Sequence, residues 1–93
     1  MIIALDYDNT FTRDPEAWYS AAASLKTFGH TIIGVTMRFE RESTDIDPYY
    51  FKVCEKVYYT GRHSKRKWCA DRNIFPDVWI DDSPEFIVDW TTL

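Results

Sequence analysis

Two pairs of aspartates come straight after short apolar runs: Asp6 and Asp8, two residues apart, and Asp81-Asp82, adjacent. Each pair follows a short apolar run, Ile2-Ile3-Ala4-Leu5 in the first case and Val78-Trp79-Ile80 in the second. Carboxylates gathered at one place repel each other, so some keep their protons or a cation joins them. A hard divalent ion with oxygen ligands is the natural choice. Mg²⁺ fits because it binds through one or two carboxylates, keeps several waters and accepts phosphate oxygens. The candidate metal ligands are therefore Asp6, Asp8, Asp81 and Asp82. Two further polar residues hold comparable positions. Thr36 ends another apolar run, Thr31-Ile32-Ile33-Gly34-Val35, and Lys65 follows a serine at a predicted helix start. Taken singly, any of these acids could cap a helix or sit on a solvated turn. Four of them at the ends of apolar runs argue for a common site.

The elements that must position these groups are legible as an alternation. Ile2 to Leu5 is apolar throughout, as suits a strand buried on both faces. Asp14-Pro15 reads as a cap and first turn, and Trp18, Ala21, Ala22, Leu25 and Phe28 recur at helical spacing, with Gly29 to stop the helix. Thr31 to Val35 is a second strand, and the polar stretch Met37 to Thr44 is a loop. Asp47-Pro48 opens a short helix to Glu55 whose buried side is Tyr50, Phe51 and Cys54. Lys56 to Tyr59 is a third strand, rich in β-prone residues. Ser64 caps a helix from Lys65 to about Arg72 that buries Trp68 and Cys69. Val78 to Ile80 is the fourth strand, and Ser83-Pro84-Glu85 opens a last short helix carrying Phe86 and Ile87. This alternation predicts an α/β fold: a small Rossmann-like parallel sheet of about four strands with helices on both faces. In such sheets ligands bind at the carboxyl ends of the strands, where these polar residues fall.

Bulk properties narrow the function classes. A chain of 93 residues fits one domain, residues 1–93, and its 17% aromatic residues supply enough area for one compact core. A net charge of −4 disfavours a dedicated duplex-DNA binder but admits a small phosphorylated substrate held by a metal and one lysine. Cys54 and Cys69 form no CxxC pair and have no histidine at zinc spacing, so they read as buried thiols in a reducing compartment. No apolar run approaches the ~20 residues of a membrane helix. The first residues lack a basic segment and reach an acid after five positions, so they read as a strand and not as a signal peptide. The expectation is a cytoplasmic protein with no membrane partner; the oligomeric state is left open.

Asp6-Tyr7-Asp8-Asn9-Thr10, straight after an apolar strand, resembles the DxDx[TV] signature of haloacid dehalogenase-like phosphohydrolases. Ile32-Ile33-Gly34-Val35-Thr36 resembles their second motif, Lys65 the lysine of the third, and Trp79-Ile80-Asp81-Asp82 the acidic fourth motif in its paired-aspartate form. All four occur in the family's order and span nearly the whole chain. Asn9 replaces the usual glycine after the second aspartate, and asparagine tolerates the same unusual backbone angles. No segment is long enough for a cap domain, so the resemblance is to the minimal, uncapped members.

The resemblance implies a Mg²⁺-dependent phosphomonoesterase. Asp6 would be the nucleophile that forms an aspartyl-phosphate. Asp8 would protonate the leaving oxygen and then activate water. Thr36 would hold phosphoryl oxygens, and Lys65 would offset the charge on Asp6 and the phosphate. Asp82 is the first choice for a direct metal ligand, with Asp81 direct or through water. The substrate would be a small phosphorylated molecule or, served by the basic cluster Arg62, His63, Lys65, Arg66 and Lys67, a nucleic-acid end. A non-catalytic metal-binding or regulatory module of the same fold is the competing class. A response-regulator phosphoacceptor domain fits less well, because no aspartate ends Val57-Tyr58-Tyr59. Arg38 reads equally as a substrate contact or a loop residue. His30 and His63 read as surface residues, the tryptophans mainly as core, with Trp90 the most exposed.

Overall fold

The structure, a computed structural model, describes residues 1–88. Four strands, β1 (Ile2–Leu5), β2 (Thr31–Thr36), β3 (Val57–Tyr59) and β4 (Val78–Ile80), form one parallel sheet in the order β3-β2-β1-β4. Three helices connect them: α1 (Pro15–Thr27), α2 (Pro48–Val53) and α3 (Lys65–Ala70). The α/β class, the four parallel strands and their places are those the sequence predicts. Among the described residues no segment forms a cap domain. None of their helices is long and apolar enough to cross a membrane.

Alternation along the two central strands builds two cores. Ile3, Leu5 and Ile32 face one way, into a cluster with Ala22 of α1 and Tyr50 and Val53 of α2. Ala4, Ile33 and Val35 face the other way, onto Cys69 of α3 and the flanking Trp68 and Trp79. Successive strand residues point to opposite faces, so a strand covered on both sides must be apolar throughout. Each such side chain fully removed from water contributes about 1.5–3 kcal/mol. The chain steps from β1 outward to β2 and β3, then returns to the far side of β1. With one favoured hand for parallel crossovers, that reversal sends α3 to the face opposite α1 and α2. It also makes the carboxyl ends of β1 and β4 a topological switch point, where a crevice opens.

The caps behave as local chemistry dictates. The Asp14 carboxylate accepts from Ala17 N at 3.2 Å and the Asp47 carboxylate from Tyr49 N at 2.9 Å, each followed by proline at the helix start. Gly29 leaves α1 at φ +89°, which suits a residue without Cβ. Several expectations are corrected. Phe28 is 79% exposed, because it caps α1 just where the chain turns off the helical face. Phe51 is exposed too; a six-residue helix buries only a narrow stripe, here Tyr50 and Val53, with Cys54 beyond it. Both α2 and α3 are shorter than predicted, and Ser64 makes no side-chain cap bond. A 3₁₀ turn, Glu40–Glu42, lies inside the predicted loop, another forms at Phe11–Arg13, and the last helix is a 3₁₀ turn at Pro84–Phe86. Trp90 lies outside the described residues.

One close approach ties α2 to the sheet. The Tyr50 side chain is fully buried, and its hydroxyl donates to Leu5 O at 2.6 Å. It lies directly over Gly34, where a Cβ would sit 2.5 Å from that hydroxyl oxygen. The ring cannot retreat without breaking its bond to β1. Gly34→Ala is therefore expected to cost about 1–3 kcal/mol through overpacking, read as a lower urea midpoint. A midpoint equal to that of the parent would show that α2 moves freely on the sheet.

Candidate functional site

Asp6 is the first residue beyond β1. Its N–H still pairs with Ile80 O at 3.0 Å, which fixes the end of β1 against β4, and it is buried. Asp81 and Asp82 leave β4 beside it. Carboxylate oxygens of Asp6, Asp81 and Asp82 all lie within 4.8 Å of one another. Lys65, the first residue of α3, joins them and is 2% exposed. Its Nζ donates to Asp6 Oδ1 at 2.8 Å and also to Asp81 Oδ2. The other Asp81 oxygen accepts from Ser83 N at 2.9 Å, so Asp81 is held from behind while Asp82 faces the open cleft.

Thr10 completes the cluster. Its hydroxyl lies 3.0 Å from Asp6 Oδ2 and 3.2 Å from Asp82 Oδ1, and it accepts from Asp82 N at 3.2 Å. A hydroxyl has one proton, so it donates to one carboxylate at a time. Asn9 sits at φ +61°, the left-handed conformation that lets the loop curl back and deliver Thr10. Thr36 ends β2, is 1% exposed, and lines the same cleft, of about 730 Å³.

Electrostatics separate the three acids. Burial pushes the Asp6 carboxyl up to about 6, although Lys65 pulls it down and the Asp81 charge adds to the rise. Burial also raises Asp82, but hydrogen bonding with Asp6, Thr10 and Ser83 outweighs it and leaves Asp82 below its usual range. Three carboxylates against one ammonium leave excess negative charge. An all-oxygen donor set of this kind fits a hard divalent cation.

Asp8 lies outside this trio. Its side chain is half exposed, and both carboxylate oxygens accept from Arg38, from Nε at 2.9 Å and Nη2 at 2.8 Å. Arg38 also donates to Asp45 at 2.7 Å and to Glu42 O at 2.9 Å, and it packs over the Tyr7 ring. The loop after β2 is thus tied to the loop after β1. Of the six residues singled out from the sequence, Asp6, Asp81, Asp82 and Lys65 meet directly, while Thr36 and Asp8 line the cleft with Asp6, Asp82 and Lys65.

No protein family, curated protein or solved structure matches this chain. The chemistry of the cleft must therefore be read from its own groups. Other places compete poorly. A groove of about 800 Å³ along the free edge of β3 holds Trp68, Tyr58 and Lys56 but none of the clustered acids. Burial pushes Cys54 up to about 12 and Cys69 to about 11, so neither thiol is poised as a nucleophile.

Sequence reasoning gave Thr10 and Ser83 no role in the site and left Arg38 open. Thr10 had a signal, since it is the last residue of the quoted DxDxT run. The Arg38–Asp8 pairing had none, because it joins two loops across β1 and β2.

Proposed function

We propose that this chain is a Mg²⁺-dependent phosphomonoesterase acting through an aspartyl-phosphate on Asp6, in the manner of the haloacid dehalogenase-like phosphohydrolases it resembles. The observation that carries the reading is the convergence of Asp6, Asp81 and Asp82 within one cation's reach, with Lys65 donating to Asp6 and Asp81. Asp6, Asp81 and Asp82 would hold the ion; Asp8, held by Arg38, stands apart from that set. When bound, Mg²⁺ supplies charge neutralisation for the phosphoryl oxygens.

The chain's own residues do the rest. Asp6 Oδ2 attacks phosphorus; the Asp6–phosphorus bond forms as the bond to the leaving oxygen breaks. Lys65 keeps Asp6 anionic and oriented. The Thr36 hydroxyl holds a phosphoryl oxygen. Asp8 gives a proton to the leaving oxygen and later takes one from the water that releases phosphate. It can do so only after the Arg38 fork opens, because a guanidinium occupies both of its oxygens. The two buried, unpaired cysteines support a cytoplasmic setting.

The test is p-nitrophenyl phosphate turnover. Turnover should require Mg²⁺, stop on chelation, and fall about a thousandfold or more in Asp6→Asn, as expected for loss of a covalent nucleophile. Mg²⁺ binding without turnover of any phosphate ester, nucleotides and 3′-phosphorylated oligonucleotides included, would instead indicate a non-catalytic metal-binding module.

A further inference from the structure

The cleft that holds the acids also holds two guanidinium groups from two different loops, Arg38 after β2 and Arg62 after β3. Glu42 links them: its backbone oxygen accepts from Arg38 and its carboxylate from Arg62 at 3.1 Å. The two arginines differ in what they have left to give. Arg38 is mostly buried, with its donors committed to Asp8, Asp45 and Glu42 O. Arg62 is 55% exposed, and its only carboxylate partner among the described residues, Glu42, is itself 36% exposed. Exposed ion pairs of this kind are weak and readily exchanged.

Arg62 is nonetheless held in place. Its Nη1 donates to Met37 O at 2.7 Å, and the guanidinium lies 5.3 Å from the centre of the Phe39 ring. The backbone takes φ +70°, which is uncommon for a residue with a Cβ and aims this side chain over the cleft rim. A cation already fixed by two contacts loses little freedom on capturing a ligand. The cleft has the volume of a ligand site and not merely of a phosphate group.

We propose that Arg62 is a specificity-determining residue: it exchanges Glu42 for a second anionic group of the substrate, so that the cleft selects phosphate esters carrying another anion a few bonds from the scissile phosphate. This rests on the reading of the cleft as a phosphate-ester site. A guanidinium presents a planar fork that suits phosphate and carboxylate alike.

Calorimetric titration in Mg²⁺ can decide, comparing methylphosphonate, methylenediphosphonate and phosphonoacetate. The parent should bind at least one of the two ligands with a second anionic group about tenfold more tightly than methylphosphonate, the scale of one charge-assisted hydrogen-bonded pair. Arg62→Asn suits the left-handed backbone, and it should bring that ratio to within about twofold of one. A purely structural Arg62 would lower the melting temperature and leave the ratio alone. Equal binding of all three ligands by the parent, or a preference that survives in Arg62→Asn, overturns the assignment. The first of these outcomes needs no variant. These phosphonates are not hydrolysed, so the two readings fail separately. A protein with the preference but no turnover would overturn the phosphohydrolase and keep Arg62's role; turnover without the preference would do the reverse.

Discussion

Asp6→Asn is expected to stabilise the metal-free protein at pH 7 while removing its turnover. The reason lies in where the carboxyl sits. Burial pushes Asp6 from 3.8 up to about 6, even with Lys65 beside it. The native state therefore holds this proton more tightly than the unfolded chain does. Between about pH 4 and pH 6 the folded protein binds more protons, so its stability falls as pH rises through that window, and the loss is complete above about 6. The displacement corresponds to about 3 kcal/mol at pH 7. Asparagine carries no charge and escapes this cost, although Lys65 loses one of its two carboxylate partners. A net gain of about 1–2 kcal/mol remains. Urea denaturation should show the variant ahead of the parent at pH 7 and the advantage shrinking towards pH 4. Mg²⁺ should stabilise the parent and not the variant, since it binds only the native site. A gap that stays constant from pH 4 to pH 7 would mean that Asp6 does not carry the strain.

Ile2 to Leu5 and Thr31 to Val35 declare themselves as two-faced strands because burial on both sides leaves no polar position. Asp14-Pro15 and Asp47-Pro48 are readable because a cap is a contact across only two or three residues. Asp6, Asp81 and Asp82 are readable because a parallel sheet brings the ends of its strands together whatever the loops do. Phe28 and Phe51 mislead because spacing alone cannot say where a helical face stops being covered. The Thr10 bridge to Asp82 spans 72 positions and the Arg38 fork to Asp8 spans 30. Thr10 itself is marked by the DxDxT run, but neither pairing has a local signature. Each depends on how two loops settle once the sheet is already built.

Lys65→Met is expected to be the most damaging single change in the protein. The Lys65 ammonium lies between the carboxylates of Asp6 and Asp81, and all three side chains are at most 8% exposed. Removing it leaves two buried charges facing each other, held by the Thr10 hydroxyl and the Ser83 N–H. Loss of one partner from a buried ionic group costs about 3–5 kcal/mol, much of the total stability of a small domain. Methionine keeps the bulk, so packing against the sheet is not the cause. The cost should depend on pH. Without the lysine's lowering pull, Asp6 moves further above 6 and takes up its proton in the native state as pH falls. The gap between Lys65→Met and the parent should therefore narrow on acidification from pH 7 to pH 5. Mg²⁺ should narrow it as well, by supplying the missing positive charge. Combining Asp6→Asn with Lys65→Met should cost less than Lys65→Met alone, because the two residues share one interaction. Lys67→Met provides the contrast: two positions along the same helix, 62% exposed and paired with the exposed Asp71, it should change stability by no more than about 0.5 kcal/mol. If Lys65→Met unfolded no more readily than Lys67→Met at pH 7, the ammonium would not be what makes the burial of Asp6 and Asp81 tolerable, and the cluster would need a different source of positive charge.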